Sequence, residues 1–188
     1  IVTQSQKQIV AVDAATGATL WGLPFTTPYE QNIVTPVVYG DTVILSGLDK
    51  STFALRPVKK GAVWTAERVW DNAAVPMYMS SPVLHGDLIA GFTHRNRGQF
   101  FAIEAKTGRT LWTSPPRQGE NAAIVGSGDR LFCVTNQGEL LVLRANPAAF
   151  ETLARLEVAS SPTWAHPVLL GPRLLVKDET HLSLLRIG

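Results

Sequence analysis

The sequence predicts an all-β chain built as a β-propeller of four-stranded antiparallel blades, and three observations predict it. First, apolar residues recur at every second position in short runs closed by Gly, Asp or Thr, and no helix-length segment shows a 3.6-residue period with caps. Second, a reverse-turn signal recurs at Tyr39-Gly40-Asp41, His85-Gly86-Asp87, Ser127-Gly128-Asp129 and Leu170-Gly171-Pro172, with glycines 46, 42 and 43 residues apart. Third, an independent apolar marker in the following strand falls at Val12, Leu55, Ile103, Leu143 and Leu185, spaced 43, 48, 40 and 42. Two markers with a period in the low forties fit four short strands per unit, which is one propeller blade.

Naming the strands a to d from the inside outwards, the chain reads as five units. Residues 1–23 supply b, c and d; residues 32–71, 78–113 and 122–158 supply whole blades; residues 164–188 supply a, b and c. Eighteen strands in this grouping do not divide into whole blades. The expectation is therefore the carboxy-terminal part of a seven- or eight-bladed ring, with a self-closed five-bladed ring as the alternative. Unpaired strands at each end would favour self-association. The stretch Pro147–Leu156 (PAAFETLARL) has some helical character, but it falls where other units turn into their outer strand, so it reads as a decorated turn.

The c–d hairpin is written most clearly twice, in KQIVAVDAATGATLW (7–21) and QFFAIEAKTGRTLW (99–112). An alternating strand leads to Asp13 or Glu104. Gly17 or Gly108 then supplies the positive φ that reverses the chain, and the returning strand carries Trp21 or Trp112. Ala11 to Trp21, Ala54 to Trp64 and Ala102 to Trp112 are each ten residues apart; Trp70 replaces Trp64 if the second unit's turn is longer, and the fourth unit has Thr152 at this spacing.

Composition bounds the function. With 45% hydrophobic and 17% charged residues the chain can bury a sizeable core. The net charge of +2 comes from scattered basic residues, so no nucleic-acid footprint is visible. No apolar run approaches the roughly 18 residues of a membrane span, and no signal-peptide pattern opens the chain. Cys133 is the only cysteine, which excludes an internal disulfide. Its setting, RLFCVT, reads as a buried strand.

The pattern shared by AVDAATGATLW and AIEAKTGRTLW, together with the Ser-Pro-Val and Gly-Asp of residues 81–87, resembles the PQQ-like β-propeller repeat of the quinoprotein alcohol dehydrogenase-like superfamily. That resemblance implies an architectural role for Trp21, Trp112 and Trp64, packed between neighbouring blades, with Gly17 and Gly108 in the adjoining turns. It also implies a bacterial, periplasmic or exported protein. Dehydrogenases of the superfamily hold pyrroloquinoline quinone (PQQ) with an adjacent cysteine pair, an aromatic floor and a calcium ion. One cysteine cannot make that pair, and no catalytic residue transfers onto this sequence. Other members keep the propeller without the chemistry, including the lipoprotein scaffold of bacterial outer-membrane barrel assembly. A non-catalytic binding or assembly scaffold without cofactor is thus expected, with a fragment of a PQQ- and calcium-dependent alcohol or sugar dehydrogenase, whose cofactor ligands lie in another part of the protein, as the alternative.

Polar and aromatic residues concentrate on one side of the disc. The a–b and c–d turns are plain Gly-Asp and Thr-Gly turns, whereas the b–c and d–a connections on the other face carry Tyr78, His94, Arg95, Asn96, Arg97, Asn121, Trp164, His166, Lys177 and Asp178. One site formed by these residues would suit a small polar or anionic ligand, or a protein partner, because Arg forks match carboxylate and phosphate. His85, His94, His166 and His181 lack zinc spacing, so no metal is expected. GSGD (126–129) has no following helix to present amides to a phosphate, and no G-x-S-x-G is present.

Overall fold

A computed structural model describes residues 1–187; the final residue of the fifth unit, Gly188, lies outside the described residues. The strands form five antiparallel sheets. The first holds β1 (Val2–Gln4), β2 (Gln8–Val12) and β3 (Thr19–Pro24). The second holds β4 (Val37–Tyr39), β5 (Thr42–Gly47), β6 (Lys50–Lys60) and β7 (Val63–Asn72). The third holds β8 (Val83–His85), β9 (Leu88–Thr93), β10 (Gln99–Glu104) and β11 (Thr110–Thr113). The fourth holds β12 (Ala122–Ser127), β13 (Arg130–Thr135), β14 (Glu139–Arg144) and β15 (Thr152–Glu157), and the fifth holds β16 (Val168–Leu170), β17 (Arg173–Lys177) and β18 (Leu182–Arg186). Each sheet is a meander in chain order, because every link is short.

The period-two pattern decides which core each side chain enters. In β9 and β10, Leu88, Ala90, Phe92, Phe100 and Ala102 point at the fourth sheet, while Ile89, Phe101 and Ile103 point at the second. Buried on both faces, these strands read as continuous apolar runs rather than alternating ones. Four buried clusters result, each shared by consecutive sheets from the first to the fifth. Among the described residues, none joins the fifth sheet to the first. The fifth sheet packs Leu174 and Val176 on the fourth and leaves Val168, Leu170, Leu182 and Leu184 exposed on its other side.

Two devices repeat around the arc. Gly40, Gly86, Gly128 and Gly171 sit at φ 56–60° in the a–b turns, the left-handed region that closes a tight two-strand turn. In addition, the c–d ladder slips by one residue after Ala11, Ala54, Ala102 and Val142, a bulge that turns the outer strand.

At that bulge the register corrects the spacing argument. Ala11 pairs with Trp21 and Ala102 with Trp112, but Ala54 pairs with Trp70. The second hairpin runs five residue pairs further than expected, to a turn at Gly61, and places Trp64 opposite Lys59 near its tip. There Lys59 Nζ lies 5.5 Å from the Trp64 ring, which packs with Ala66 against the first-to-second core. In the fourth sheet the paired residue is Ala154, not Thr152, because residues 145–151 lengthen the turn. Phe150 from that turn packs on Trp112, with ring centroids 5.6 Å apart.

Trp70 donates its indole N–H to Ala105 O (3.1 Å) and Trp112 donates to Asn146 O (3.0 Å), in each case a carbonyl of the next sheet. Asn72 adds a bond to Gly108 O (2.6 Å). Cys133, between Ile124 and Leu141 in register, is fully buried, and burial pushes its thiol pKa far up.

Candidate functional site

The innermost strands β4, β8, β12 and β16 are approached by four connections, residues 25–36, 73–82, 114–121 and 158–167, and hydroxyl side chains anchor them. Ser81 Oγ accepts the Thr35 N–H (3.0 Å) on one side, and Ser80 Oγ accepts the Ala122 N–H (3.1 Å) on the other. Thr163, which leads into the fifth sheet, donates its hydroxyl to Thr135 O (2.5 Å). These bonds satisfy backbone groups that the absence of a sheet partner would leave open. They also hold the walls of a cavity of about 370 Å³, lined by Ile33, Thr35, Met79, Ser80, Ser81, Asn121, Thr163, Trp164 and His166 together with Ala122 and Ala123. Trp164 is 56% exposed there and Ile33 43%. Among the described residues, no carboxylate, ammonium or guanidinium lines this cavity, so it suits an uncharged group.

A second depression, of about 450 Å³, lies between the third and fourth sheets and is lined by His94, Arg97, Arg117, Gly119, Glu120 and Gln137. Its two arginines come from different connections that are tied backbone to backbone: Arg117 N–H donates to Asn96 O (3.1 Å) and Gln118 N–H to Gly98 O (3.0 Å). Asn96, Arg97 and Arg117 all take left-handed φ of 55–65°, which is unusual for residues other than glycine. Asn96 also bonds Gln99 Oε1 (2.6 Å). Among the described residues, Arg95, Arg97 and Arg117 belong to no ion pair. His94 Nε2 stands 3.5 Å from Asp49 Oδ1, its Nδ1 is buried without a partner, and its ring meets Tyr78 edge-on at 6.2 Å. Tyr78 in turn donates its hydroxyl to Gln31.

The expected single site is therefore divided. Asn121, Trp164 and His166 line the mouth cavity; His94 and Arg97 line the second depression, with Tyr78 behind His94 and Arg95 and Asn96 on the same short 3-10 turn. Lys177 and Asp178 belong to neither. Asp178 accepts the backbone N–H groups of His181 and Thr180, and those bonds, the His181 one first, hold its carboxyl below the usual carboxylate range. Lys177 donates its ammonium to the Asp178 carbonyl. Both shape the b–c loop of the fifth sheet.

Sequence reading missed Arg117, Ile33 and Thr35. The signal for Arg117 was the Pro-Pro-Arg-Gln-Gly run of 115–119, a turn-forming stretch that precedes an innermost strand. Ile33 and Thr35 gave none, because an apolar or hydroxyl residue before a strand has no distinctive signature.

Comparison with known proteins gives a consistent picture. The family profile described as "Outer membrane protein assembly factor BamB" matches residues 1–114. A curated relative, the quinoprotein alcohol dehydrogenase PedH of Pseudomonas putida KT2440, is 26% identical over 73% of this chain and 25% of its own. Among solved structures, BamB from Moraxella catarrhalis superposes with a TM-score of 0.72 at 18% identity, covering 96% of this chain and 56% of that one. The computationally designed Ika4 protein superposes with a TM-score of 0.63 at 10% identity, over 81% of this chain and 89% of that one. At these identities the solved structures speak for the fold. The chain spans about a quarter of the curated relative's length and just over half of the BamB chain.

Proposed function

Because the chain belongs to the family of outer membrane protein assembly factor BamB, we propose that it is a non-catalytic propeller scaffold holding a protein partner on its b–c/d–a face during outer-membrane protein assembly. The observation that carries this reading is the pairing, on one face, of an uncharged cavity bearing exposed Trp164 with a depression bearing the unpaired Arg97 and Arg117. Exposed Trp and Arg are the residue types that dominate binding energy at protein interfaces. The reading puts the chain in the periplasm; among the described residues, no helix is long and apolar enough to cross a membrane. Trp70 and Trp112 serve the scaffold by docking each blade on the next.

The test is photo-crosslinking in bacterial cells from the Trp164 and Arg97 positions, with Thr16 on the opposite face as control. Adducts to an outer-membrane assembly protein are expected from the first two positions. Adducts from Thr16 alone, or none from either position, sink the proposal. Trp164→Ala should weaken the purified interaction by about 2 kcal/mol, the scale of an interface hot spot.

A PQQ-dependent dehydrogenase is the second reading, favoured by the likeness to PedH. The residues present do not themselves hold that cofactor, so this reading places its ligands in another part of the protein. Cys133 is alone and buried in the fourth sheet, and among the described residues no carboxylate lines the mouth cavity to receive a calcium ion. Quinone binding with turnover in a PQQ titration would reverse this judgement.

A further inference from the structure

On the opposite face, the a–b turn aspartates of two sheets are each matched by an arginine of their own c strand. Asp41 Oδ2 lies 2.7 Å from Arg56 Nε, and Asp129 Oδ2 lies 2.9 Å from Arg144 Nη1. In the third sheet the same two places are Asp87 and Glu104, so a second acid stands where the cation belongs. The exchange has a local cause. Glu104 is the acid of the Thr-Gly turn: it accepts the Thr107 hydroxyl and lies 3.7 Å from Arg109 Nη2. Asp87 is left with a neutral partner, the Tyr39 hydroxyl of the second sheet, which donates to it at 2.7 Å.

Both carboxylates border a cleft of about 300 Å³ between the third and fourth sheets. Leu88, Leu111, Ala145 and Pro147 give it an apolar wall, and His85 and Arg109 also line it. Among the described residues, no group of three or more His, Cys, Asp or Glu is arranged to hold a metal ion, so a suitable cation is organic. An apolar wall leading to a carboxylate matches an amphipathic side chain with an aliphatic stem and a charged head. Planar guanidinium is the head that carboxylates pair with best.

We propose that this cleft receives an arginine side chain from a partner polypeptide, which supplies to Asp87 the cation that Arg56 and Arg144 supply to Asp41 and Asp129 within the neighbouring sheets. The site lies on the turn face and stands apart from the scaffold reading of the other face. Arg109 lies in the same cleft but is held by Glu104, and among the described residues Asp87 belongs to no ion pair.

The probe is Nα-acetyl-arginine amide, titrated into the full chain and followed by the methyl resonances of Leu88 and Leu111, with citrulline amide as the uncharged analogue. Saturable shifts are expected with the arginine amide. Both citrulline amide on the unaltered chain and arginine amide on Asp87→Asn should bind about fivefold more weakly, the factor for one exposed ion pair. If Asp87→Asn does not fold, the salt dependence of arginine amide binding to the unaltered chain replaces it, and affinity should fall as salt rises. Equal binding of the two amides, no shift at Leu88 and Leu111, or affinity unchanged by Asp87→Asn or by salt would overturn the proposal.

Discussion

Gly17 and Gly108 occupy the same place in the Thr-Gly turn, at φ +73° and +72°, yet their surroundings differ. A Cβ at Gly17 meets nothing within 4 Å, whereas one at Gly108 would stand 2.6 Å from Trp70 Cδ2. Gly17→Ala thus carries only the left-handed backbone cost, about 1–2 kcal/mol. Gly108→Ala carries that cost plus about 1–3 kcal/mol of overpacking. The ring cannot simply withdraw, because its N–H is bonded to Ala105 O and neighbouring Asn72 is bonded to Gly108 O. In urea unfolding followed by far-UV circular dichroism, Gly108→Ala should lower stability by about 1–3 kcal/mol more than Gly17→Ala, without a change in slope. Equal losses at the two glycines would refute the claim that the indole of one sheet is seated on the turn of the next.

Three further outcomes are expected. Trp70→Phe should cost about 1–2 kcal/mol in the same assay, because it leaves the Ala105 carbonyl unpaired, and should cost more than Trp64→Phe at the hairpin tip; a larger loss at Trp64 would restore the ten-residue spacing as the true equivalence. Asp178 has its carboxyl pKa depressed by folding, so its contribution is complete above the unfolded carboxylate range and is lost as pH falls through the folded value. Asp178→Ala should therefore flatten the acid limb of stability against pH, and an unchanged limb would count against the loop-shaping role. Cys133, buried with its pKa raised, should react with a thiol reagent only as fast as the chain unfolds; rapid labelling under native conditions would contradict its place in the core.

The repeat was legible because two signals with separate causes agree: a glycine that a tight turn demands, and an apolar side chain that two neighbouring sheets enclose. Trp64 misled because chain spacing is not register. The stretch from Arg56 to Arg68 is a ribbon containing Pro57 in which no residue is fully buried and only Pro57, Val58, Trp64 and Ala66 are half-buried, so its length is not marked by a buried run. The face that bears the polar connections was legible from residue type. Its division into an uncharged mouth and a basic depression was not, since residue type does not tell how far from the axis a side chain ends. That distance depends on the left-handed turns at Asn96, Arg97 and Arg117, conformations that these residues seldom adopt. Asp87 shows the converse: its turn reads as purely structural until Glu104 is seen opposite it.

The four cores shared only by consecutive sheets have a dynamic corollary. The third sheet is held from both sides, by the cores containing Phe100 and Phe101, while the fifth is held from one side, by Leu174 and Val176. Amide hydrogen exchange should accordingly be graded along the arc, slowest in β9 and β10 and fastest in β16 and β18. Local opening would begin at the two sheets held from one side, the first and the fifth, and spread inward by whole sheets, as in a row of weakly coupled units. The Trp-bearing hairpins that couple neighbours would then set how far each opening travels.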